Sequence, residues 1–401
     1  MSATLVVIIA AIIFIVSVRL KVPLGIAFTV SGIVLGFLSG MGVVEVLSTS
    51  GKWLISEDTI GLILIVYFLG LMGVILGELG WLSRTVRSLK RLIPNSKISS
   101  VLPASLIGFL PMPGGAMLSA PLVEEGAKTM ELSRERLTFL NFWFRHLWEY
   151  TWPLYPGIIL STVLLDVPAS KLISSMWYLS VFSIIPGLVI GFRGVKNAGK
   201  NDIKEIGLML AIKDFLITTW YIWAVVFFVL FLGFEILPIV AIASMITLLI
   251  LRQSDKKRLE HLKKAFSIKV IGLIAGVMIF KGILESSGTV EVLAKEIAGV
   301  PEVVLLFLVP FSIGIITGVN SAFVGLGFPV LVPLIMKNGF DAGNFAFAYT
   351  AGFLGVLSSP VHLCLLLTKQ YFYASWSGIY KFLAPAVISV FLASIVLLLI
   401  Q

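Results

Sequence analysis

Residues 109–118 read FLPMPGGAML, and residues 312–327 read SIGIITGVNSAFVGLG. Each run interrupts a long apolar stretch, 98–127 and 301–336 respectively, with the glycine and proline residues that end helices. Inside a membrane, a backbone break of this kind is tolerated only where protein buries it or where it lines a wet cavity. In a membrane protein, both stretches therefore predict re-entrant helical hairpins, which enter the membrane and return to the same side.

The composition of the chain is that of a membrane protein. Of its 401 residues, 58% are hydrophobic and 13% are charged, whereas soluble domains run at roughly 45–50% apolar and about 25% charged. Lipid has to cover the surplus apolar surface. The net charge of +9 lies in short loops, as in cytoplasmic loops of membrane proteins, so no nucleic-acid partner is expected. One cysteine, Cys364, and three histidines exclude, by count, an intrachain disulfide and a Cys/His metal site.

Hydropathy predicts an all-α polytopic fold, since a helix needs about 20 apolar residues to cross the hydrocarbon core. Ten full spans are predicted, at 3–20, 23–40, 59–80, 136–165, 171–192, 206–232, 235–252, 267–286, 342–369 and 376–400. Basic residues dominate the loops after the third, fifth and seventh spans, and acidic residues those after the second and eighth. This alternation predicts a cytoplasmic-membrane protein with both termini outside, provided that both hairpins return to the side they enter from. The alternative is twelve ordinary spans. In that topology, the basic loops downstream of the first hairpin would lie outside and the acidic loops inside.

A single offset of 207 residues relates the two halves of the chain. It joins Pro103 to Pro310 and Pro153 to Pro360, and it aligns the two hairpins and the two proline-broken spans. Residues 1–200 and 201–401 are therefore predicted to be two repeats, each with five full spans and one hairpin. Five is odd, so the second repeat lies upside-down relative to the first. Inverted repeats with discontinuous helices are typical of alternating-access transporters.

This arrangement resembles the ion-transporter superfamily, which includes the gluconate permeases and the citrate and dicarboxylate–sodium symporters. The Pro-Met-Pro-Gly-Gly run at 111–115 is most similar to an uncharacterised prokaryotic integral-membrane family near the gluconate permeases. The resemblance implies an elevator mechanism and a homodimer. Sodium-coupled dicarboxylate members carry Ser-Asn-Thr at both hairpin tips, whereas residues 111–115 offer no side-chain oxygen. Proton coupling is therefore expected, with sodium as the alternative.

Four predicted breaks are expected to meet near the membrane midplane: Pro111–Gly115, Thr151–Pro156, Thr317–Ser321 and Ser358–Pro360. Helices that start at these breaks aim free N–H groups and positive dipole ends inward, which favours a carboxylate ligand. The predicted substrate-binding residues are Gly114, Gly115, Thr151, Thr317, Asn320, Ser321, Ser358, Ser359 and His362. Helix capping is the alternative role for the polar members of this set.

The run NFWFRHLWEYTWP at 141–153 places three ionisable residues inside an apolar span. Each costs roughly 2.5–3.5 kcal/mol to insert into a membrane. Arg145, His146 and Glu149 are therefore predicted to be the proton-coupling residues, with Glu149 as the carrier. A structural ion pair between Arg145 and Glu149, four residues apart on a helix, is the alternative.

The sequence thus predicts a proton-coupled carrier of a small organic anion. A sodium-coupled carrier and an anion channel are the alternatives. An intramembrane enzyme is not expected, because the aspartates lie almost entirely in loops and neither an HExxH nor a GxSG motif is present. No catalytic residue and no cofactor other than the coupling ion is predicted.

Overall fold

A computed structural model describes residues 1–81, 84–85, 87–88, 95–109, 115–195, 208–251, 255–296 and 299–400. Across these ranges the regular structure is helical, and no β-strand occurs in them. The first ten helices are α1 (Ala3–Arg19), α2 (Leu24–Leu38), α3 (Val43–Leu54), α4 (Glu57–Glu78), α5 (Ser96–Ile107), α6 (Gly115–Ala127), α7 (Arg134–Arg145), α8 (Pro156–Leu165), α9 (Ala169–Ser174) and α10 (Trp177–Phe192). The second ten are α11 (Leu208–Val225), α12 (Ile236–Ile250), α13 (Asp255–Ala265), α14 (Ile268–Ser286), α15 (Thr289–Glu296), α16 (Glu302–Thr317), α17 (Asn320–Ile335), α18 (Ala342–Ser358), α19 (Leu363–Phe372) and α20 (Trp376–Ile400).

In the described ranges, five helical segments are long and apolar enough to cross a membrane. They are Glu57–Glu78, Met209–Phe231, Lys257–Ser286, Ala342–Phe372 and Trp376–Ile400, and seven shorter apolar helices accompany them. The chain is therefore an all-helical protein of the kind that lies in a membrane. Helices α3, α9, α13 and α15 were not predicted, because they are short or highly charged and hydropathy does not detect them.

The outer surface of α1 has the pattern of a lipid-facing helix. Leu5, Ile8 and Ile12 are 46–52% exposed at spacings of three and four residues. The opposite face, with Ala10 and Phe14, is fully buried in the protein. One apolar face thus packs in the core while the other, equally apolar, face has no protein partner in the described part of the chain.

Helices α2 and α14 touch through glycines. A Cβ atom on Gly276 would lie 2.1 Å from the carbonyl oxygen of Gly25, and one on Gly25 would lie equally close to that of Gly272. Small residues that let backbones approach are the usual basis of helix association in membranes. This crossing therefore depends on glycine at both positions.

The predicted span 136–165 is interrupted by a long break. Helix α7 ends at Arg145, a 3-10 turn covers Leu147–Tyr150, and α8 begins at Pro156. Pro153 and Pro156 lack the N–H groups that the carbonyls of residues 149 and 152 would accept from in a helix. The break therefore begins at His146, five residues before the predicted start at Thr151.

The other breaks are shorter. Helix α16 ends at Thr317 and α17 begins at Asn320, with Gly318 in the left-handed conformation at φ +65°. Helix α18 ends at Ser358 and α19 begins at Leu363, so residues 359–362 separate the two helices. Pro360 interrupts the helical hydrogen bonds there. The predicted break at Pro111–Gly115 lies mostly outside the described residues, which resume at Gly115, the first residue of α6.

Candidate functional site

Glu149 links the long break to two other elements. The carboxylate Oε2 accepts a hydrogen bond from Asn320 Nδ2 at 2.7 Å, and Oε1 lies 3.7 Å from His146 Nε2. The backbone carbonyl of Glu149 accepts a hydrogen bond from the Tyr349 hydroxyl at 3.1 Å. Glu149 is only 7% exposed. A buried carboxylate of the first predicted repeat is therefore held by an amide from the second.

Two histidines meet beside this carboxylate. The Nε2 atoms of His146 and His362 are 3.1 Å apart. On the opposite side of each ring, Nδ1 of His146 lies 2.6 Å from the carbonyl oxygen of Phe142, and Nδ1 of His362 lies 2.7 Å from that of Gly318. Both rings are thus held in place by backbone carbonyls, with their Nε2 atoms facing each other.

Arg145 does not form the helical pair with Glu149 that was considered from the sequence. Helix α7 ends at Arg145, so the four-residue helical spacing is lost before Glu149. The Arg145 guanidinium donates instead to the carbonyl of Ile107, at the end of α5, at 3.2 Å. Its role in the described structure is to join the long break to the first helix of the predicted hairpin.

Three helices begin at the cluster without a side-chain cap among the described residues. Their N-cap positions are Tyr155 for α8, Val319 for α17 and His362 for α19. A Cβ atom on Gly157, in the first turn of α8, would lie 2.2 Å from Asn320 Oδ1, so the first turns of α8 and α17 are in contact. Each helix start carries N–H groups without intrahelical partners and the positive end of the macrodipole. The three together make this region favourable for an anion.

His146, His362 and Cys364 could also hold a metal ion, since their ligand atoms lie within 4.8 Å of one another. The counts of cysteine and histidine had argued against a Cys/His site. Counts do not show which residues meet in space, and the fold brings together one cysteine and two histidines from distant parts of the chain.

The other predicted binding residues have local partners. Thr317 accepts a hydrogen bond from Val319 N, and Ser359 Oγ accepts one from Val361 N, so both cap their breaks. Thr151 Oγ1 pairs with Ser180 Oγ of α10 at 3.0 Å. The remaining predicted residues are Ser321 in the first turn of α17, Ser358 at the end of α18, Gly115 at the start of α6, and Gly114, which lies outside the described residues.

Four residues of the cluster were not predicted from the sequence: Gly157, Gly318, Tyr349 and Cys364. A Cβ atom on Gly318 would lie 2.8 Å from the backbone nitrogen of His362, so glycine is needed there both for its positive φ and for this contact. Of these four residues, Tyr349 could have been identified from the sequence by its hydroxyl. A hydroxyl inside an apolar span requires a buried partner.

A search of curated proteins finds no match to this chain. A family model does match it, over residues 1–400, and its members are described as proteins of unknown function. The chain belongs to this family, DUF401.

Proposed function

We propose that this protein is a secondary active transporter that moves a small organic anion across the cytoplasmic membrane, coupled to protons, by elevator-type alternating access. One observation carries the proposal. Three helices that begin at helix interruptions, without a side-chain cap among the described residues, have their N-termini beside the buried cluster of Glu149, His146 and His362. Partly unwound helices that point their N-termini at one place are the arrangement with which transporters bind carboxylates.

The bounds of the broken helices support two repeats. Helix α8 spans Pro156–Leu165 and α19 spans Leu363–Phe372, so both ends are offset by 207 residues. The residues that follow, Asp166 and Tyr373, are offset by the same number, and both adopt the left-handed conformation. A shared local geometry at one offset is what duplication of a single unit produces.

Contacts at the breaks support the same relation. The N-cap residue of α8, Tyr155, donates to the carbonyl of Gly108, the C-cap residue of α5. The N-cap residue of α19, His362, contacts the carbonyl of Gly318, the C-cap residue of α16. In each predicted repeat, the second half of the broken helix is thus tied to the end of the first hairpin helix.

We assign α5–α6 and α16–α17 as the re-entrant hairpins and residues 1–200 and 201–401 as the inverted repeats. Helices α1–α4 and α11–α14 form the scaffold, and the hairpins with α7, α8, α10 and α18–α20 form the moving unit. The glycine contact between α2 and α14, one from each half of the chain, supports a joint scaffold. The homodimer that the resemblance implies, and the placement of both termini outside, stay predictions.

The donor atoms of the cluster favour protons over sodium. Hard cations such as sodium take oxygen ligands. The cluster offers two imidazole Nε2 atoms and one thiol, but only one carboxylate, and that carboxylate already accepts from Asn320. Imidazole nitrogens exchange protons near neutral pH and are poor ligands for sodium, so the proton is the better coupling ion.

The test begins with thermal-shift measurements on the purified protein against lactate, gluconate, succinate and citrate, since a ligand that binds the folded state stabilises it. An acid that raises the melting temperature is then followed into proteoliposomes with an imposed pH gradient. We expect accumulation and counterflow exchange, and Glu149→Gln should abolish accumulation. Glu45→Gln, an exposed change on α3, is the matched control.

Two results would count against the proposal. One is proton-driven uptake that is unchanged in Glu149→Gln, which would refute the assignment of Glu149 to coupling but not the transporter itself. The other is single-channel current without counterflow, which would make the protein a channel.

A further inference from the structure

The rings of His146 and His362 are held in the orientation that metal-binding histidines adopt. Nδ1 of His146 lies 2.6 Å from the carbonyl oxygen of Phe142, and Nδ1 of His362 lies 2.7 Å from that of Gly318. A carbonyl oxygen only accepts hydrogen bonds, so in each ring Nδ1 carries the hydrogen and Nε2 presents its lone pair. Metal-binding histidines are usually fixed in this way, by a hydrogen bond from the nitrogen that does not bind the metal.

The distances between the donor atoms fit a tetrahedral ion. The two Nε2 atoms are 3.1 Å apart. Two imidazole nitrogens on one zinc ion, each with a Zn–N bond of about 2.0–2.1 Å, lie roughly 3.3 Å apart. The ligand atoms of His146, His362 and Cys364 all lie within 4.8 Å of one another. A sulfur with a Zn–S bond of about 2.3 Å lies roughly 3.6 Å from each nitrogen, so the Cys364 sulfur has to approach the rings by about 1 Å at most.

Glu149 offers a fourth ligand beside the rings. Its Oε1 lies 3.7 Å from His146 Nε2, and its other carboxylate oxygen is held by the Asn320 amide. Glu149, His146 and Cys364 are all buried. A charge in an apolar core is costly unless it is paired. One thiolate and one carboxylate supply two negative charges, so together they neutralise a divalent ion.

We infer that one zinc ion ties two helix breaks together, bound by His146, Glu149, His362 and Cys364. Imidazole nitrogen, thiolate sulfur and carboxylate oxygen are the ligands of zinc in proteins. When zinc binds, the thiol of Cys364 loses its proton to water, and the two imidazoles bind as neutral ligands. His146 and Glu149 lie in the break between α7 and α8, whereas His362 and Cys364 lie at the start of α19. The ion therefore crosslinks two segments whose histidines are 216 residues apart in the chain.

Zinc in this site should also stop transport, and this consequence alone rests on the proposed function. The proposed transporter needs the cluster to open when it releases the anion. An ion bound to both breaks holds them in contact, so the zinc-loaded protein is expected to be inactive.

Metal analysis of the purified protein, without a histidine tag, tests the site directly. After treatment with a chelator and dialysis against zinc, we expect one tightly bound zinc ion per chain and a raised melting temperature, since an ion that binds the folded state stabilises it. Cobalt in place of zinc should show the absorption of a cobalt–thiolate bond together with the intense visible bands of a tetrahedral ion.

Substitutions assign the ligands. Cys364→Ala should lose the thiolate absorption of the cobalt form, and His362→Gln should weaken zinc binding at least roughly tenfold. His261→Gln, on α13, is the matched histidine control and should bind zinc as the native protein does. Much less than one zinc ion per chain, a cobalt form without the thiolate absorption, or equal zinc binding by His362→Gln and the native protein would overturn the site.

Uptake of the selected organic acid separates this inference from the proposed function. Saturating zinc should slow uptake at least tenfold in the native protein but not in Cys364→Ala, each compared with its own metal-free rate. Equal uptake by the zinc-loaded and metal-free native protein would overturn the tie between the breaks. Zinc binding in a protein that moves no organic acid would leave the site intact and refute the transporter. Proton-driven uptake by a protein that binds no zinc would refute the site and leave the transporter.

Discussion

Gly157→Ala should disable the site by displacing Asn320. The new methyl group would lie 2.2 Å from Asn320 Oδ1 and 2.7 Å from the Tyr349 hydroxyl oxygen, whereas ordinary contact begins at 3.4 Å. Asn320 therefore has to retreat by about 1 Å, and the 2.7 Å hydrogen bond from its Nδ2 to Glu149 is lost. Hydrogen bonds to charged groups contribute about 1.5–3 kcal/mol, which corresponds to roughly a ten- to hundredfold change in an equilibrium constant.

Two assays measure the effect. Uptake into proteoliposomes, with the organic acid that the thermal-shift screen selects, should fall roughly ten- to a hundredfold. Thermal unfolding in detergent should show a loss of about 1–3 kcal/mol from overpacking. Gly73→Ala on α4 is the matched control, because a methyl group there meets nothing within 4 Å. That change should leave uptake unaltered.

A double-mutant cycle checks the cause. If Gly157→Ala acts through Asn320, then uptake by the double variant with Asn320→Ala should equal that of Asn320→Ala alone, since interacting sites are not additive. Independent, additive losses would refute the reasoning, and so would a Gly157→Ala protein with normal uptake and normal stability.

Three further changes test contacts elsewhere in the fold. Gly276→Ala should destabilise the protein by about 1–3 kcal/mol, because the new methyl group meets the Gly25 carbonyl. Gly272→Ala on the same helix is the control, because a methyl group there meets nothing within 4 Å. Equal melting temperatures of the two variants would contradict this prediction. Lys281→Met removes the 3.0 Å hydrogen bond from Nζ to the carbonyl of Val163 near the end of α8 and should lower the melting temperature, with exposed Lys269→Met as the control. The pKa of Glu135 lies below its ordinary value because the backbone N–H and the hydroxyl of Ser375 donate hydrogen bonds to the carboxylate. The ionised carboxylate therefore stabilises the folded protein at pH values above the pKa of Glu135 in the unfolded chain. This stabilisation disappears as the pH falls through the pKa of Glu135 in the folded protein. Melting temperatures of the native protein and Glu135→Gln should accordingly differ at pH 7 and converge in acid, and a difference that persists at low pH would contradict the assignment.

The helices could be predicted from hydropathy and proline positions, but the contacts between them could not. The ends of α1, α2 and α14 lie close to the predicted spans, because a run of apolar residues determines where a helix can be covered by lipid or protein. Two breaks could likewise be predicted from Pro153 and Pro360, because a proline lacks the N–H for a helical hydrogen bond and so interrupts the helix at its own position. The start of the long break was wrong by five residues, because the 3-10 turn at Leu147–Tyr150 has no sequence signature.

The meeting of the cluster residues could not be derived in the same way. Glu149 and Asn320 are 171 residues apart in the chain, and His146 and His362 are 216 apart. A single sequence gives the chemistry of each residue but not the distance between two of them. For the same reason the helical spacing of Arg145 and Glu149 misled, since it holds only while the helix continues.

In the proposed repeats the second halves of the broken helices match, but the Arg145, His146 and Glu149 set occurs only in the first repeat, and this asymmetry has a physical reason. At the 207-residue offset, Arg145, His146 and Glu149 correspond to Gly352, Phe353 and Val356. Each ionisable residue costs roughly 2.5–3.5 kcal/mol to insert, so a second set would double a cost of several kcal/mol. The second repeat instead contributes the Asn320 amide and the Tyr349 hydroxyl, which bind Glu149, and one ionisable residue, His362, which contacts His146. A site divided in this way is complete only when the two breaks are in contact. In the proposed transporter, a movement that separates the breaks would therefore release both the proton and the anion.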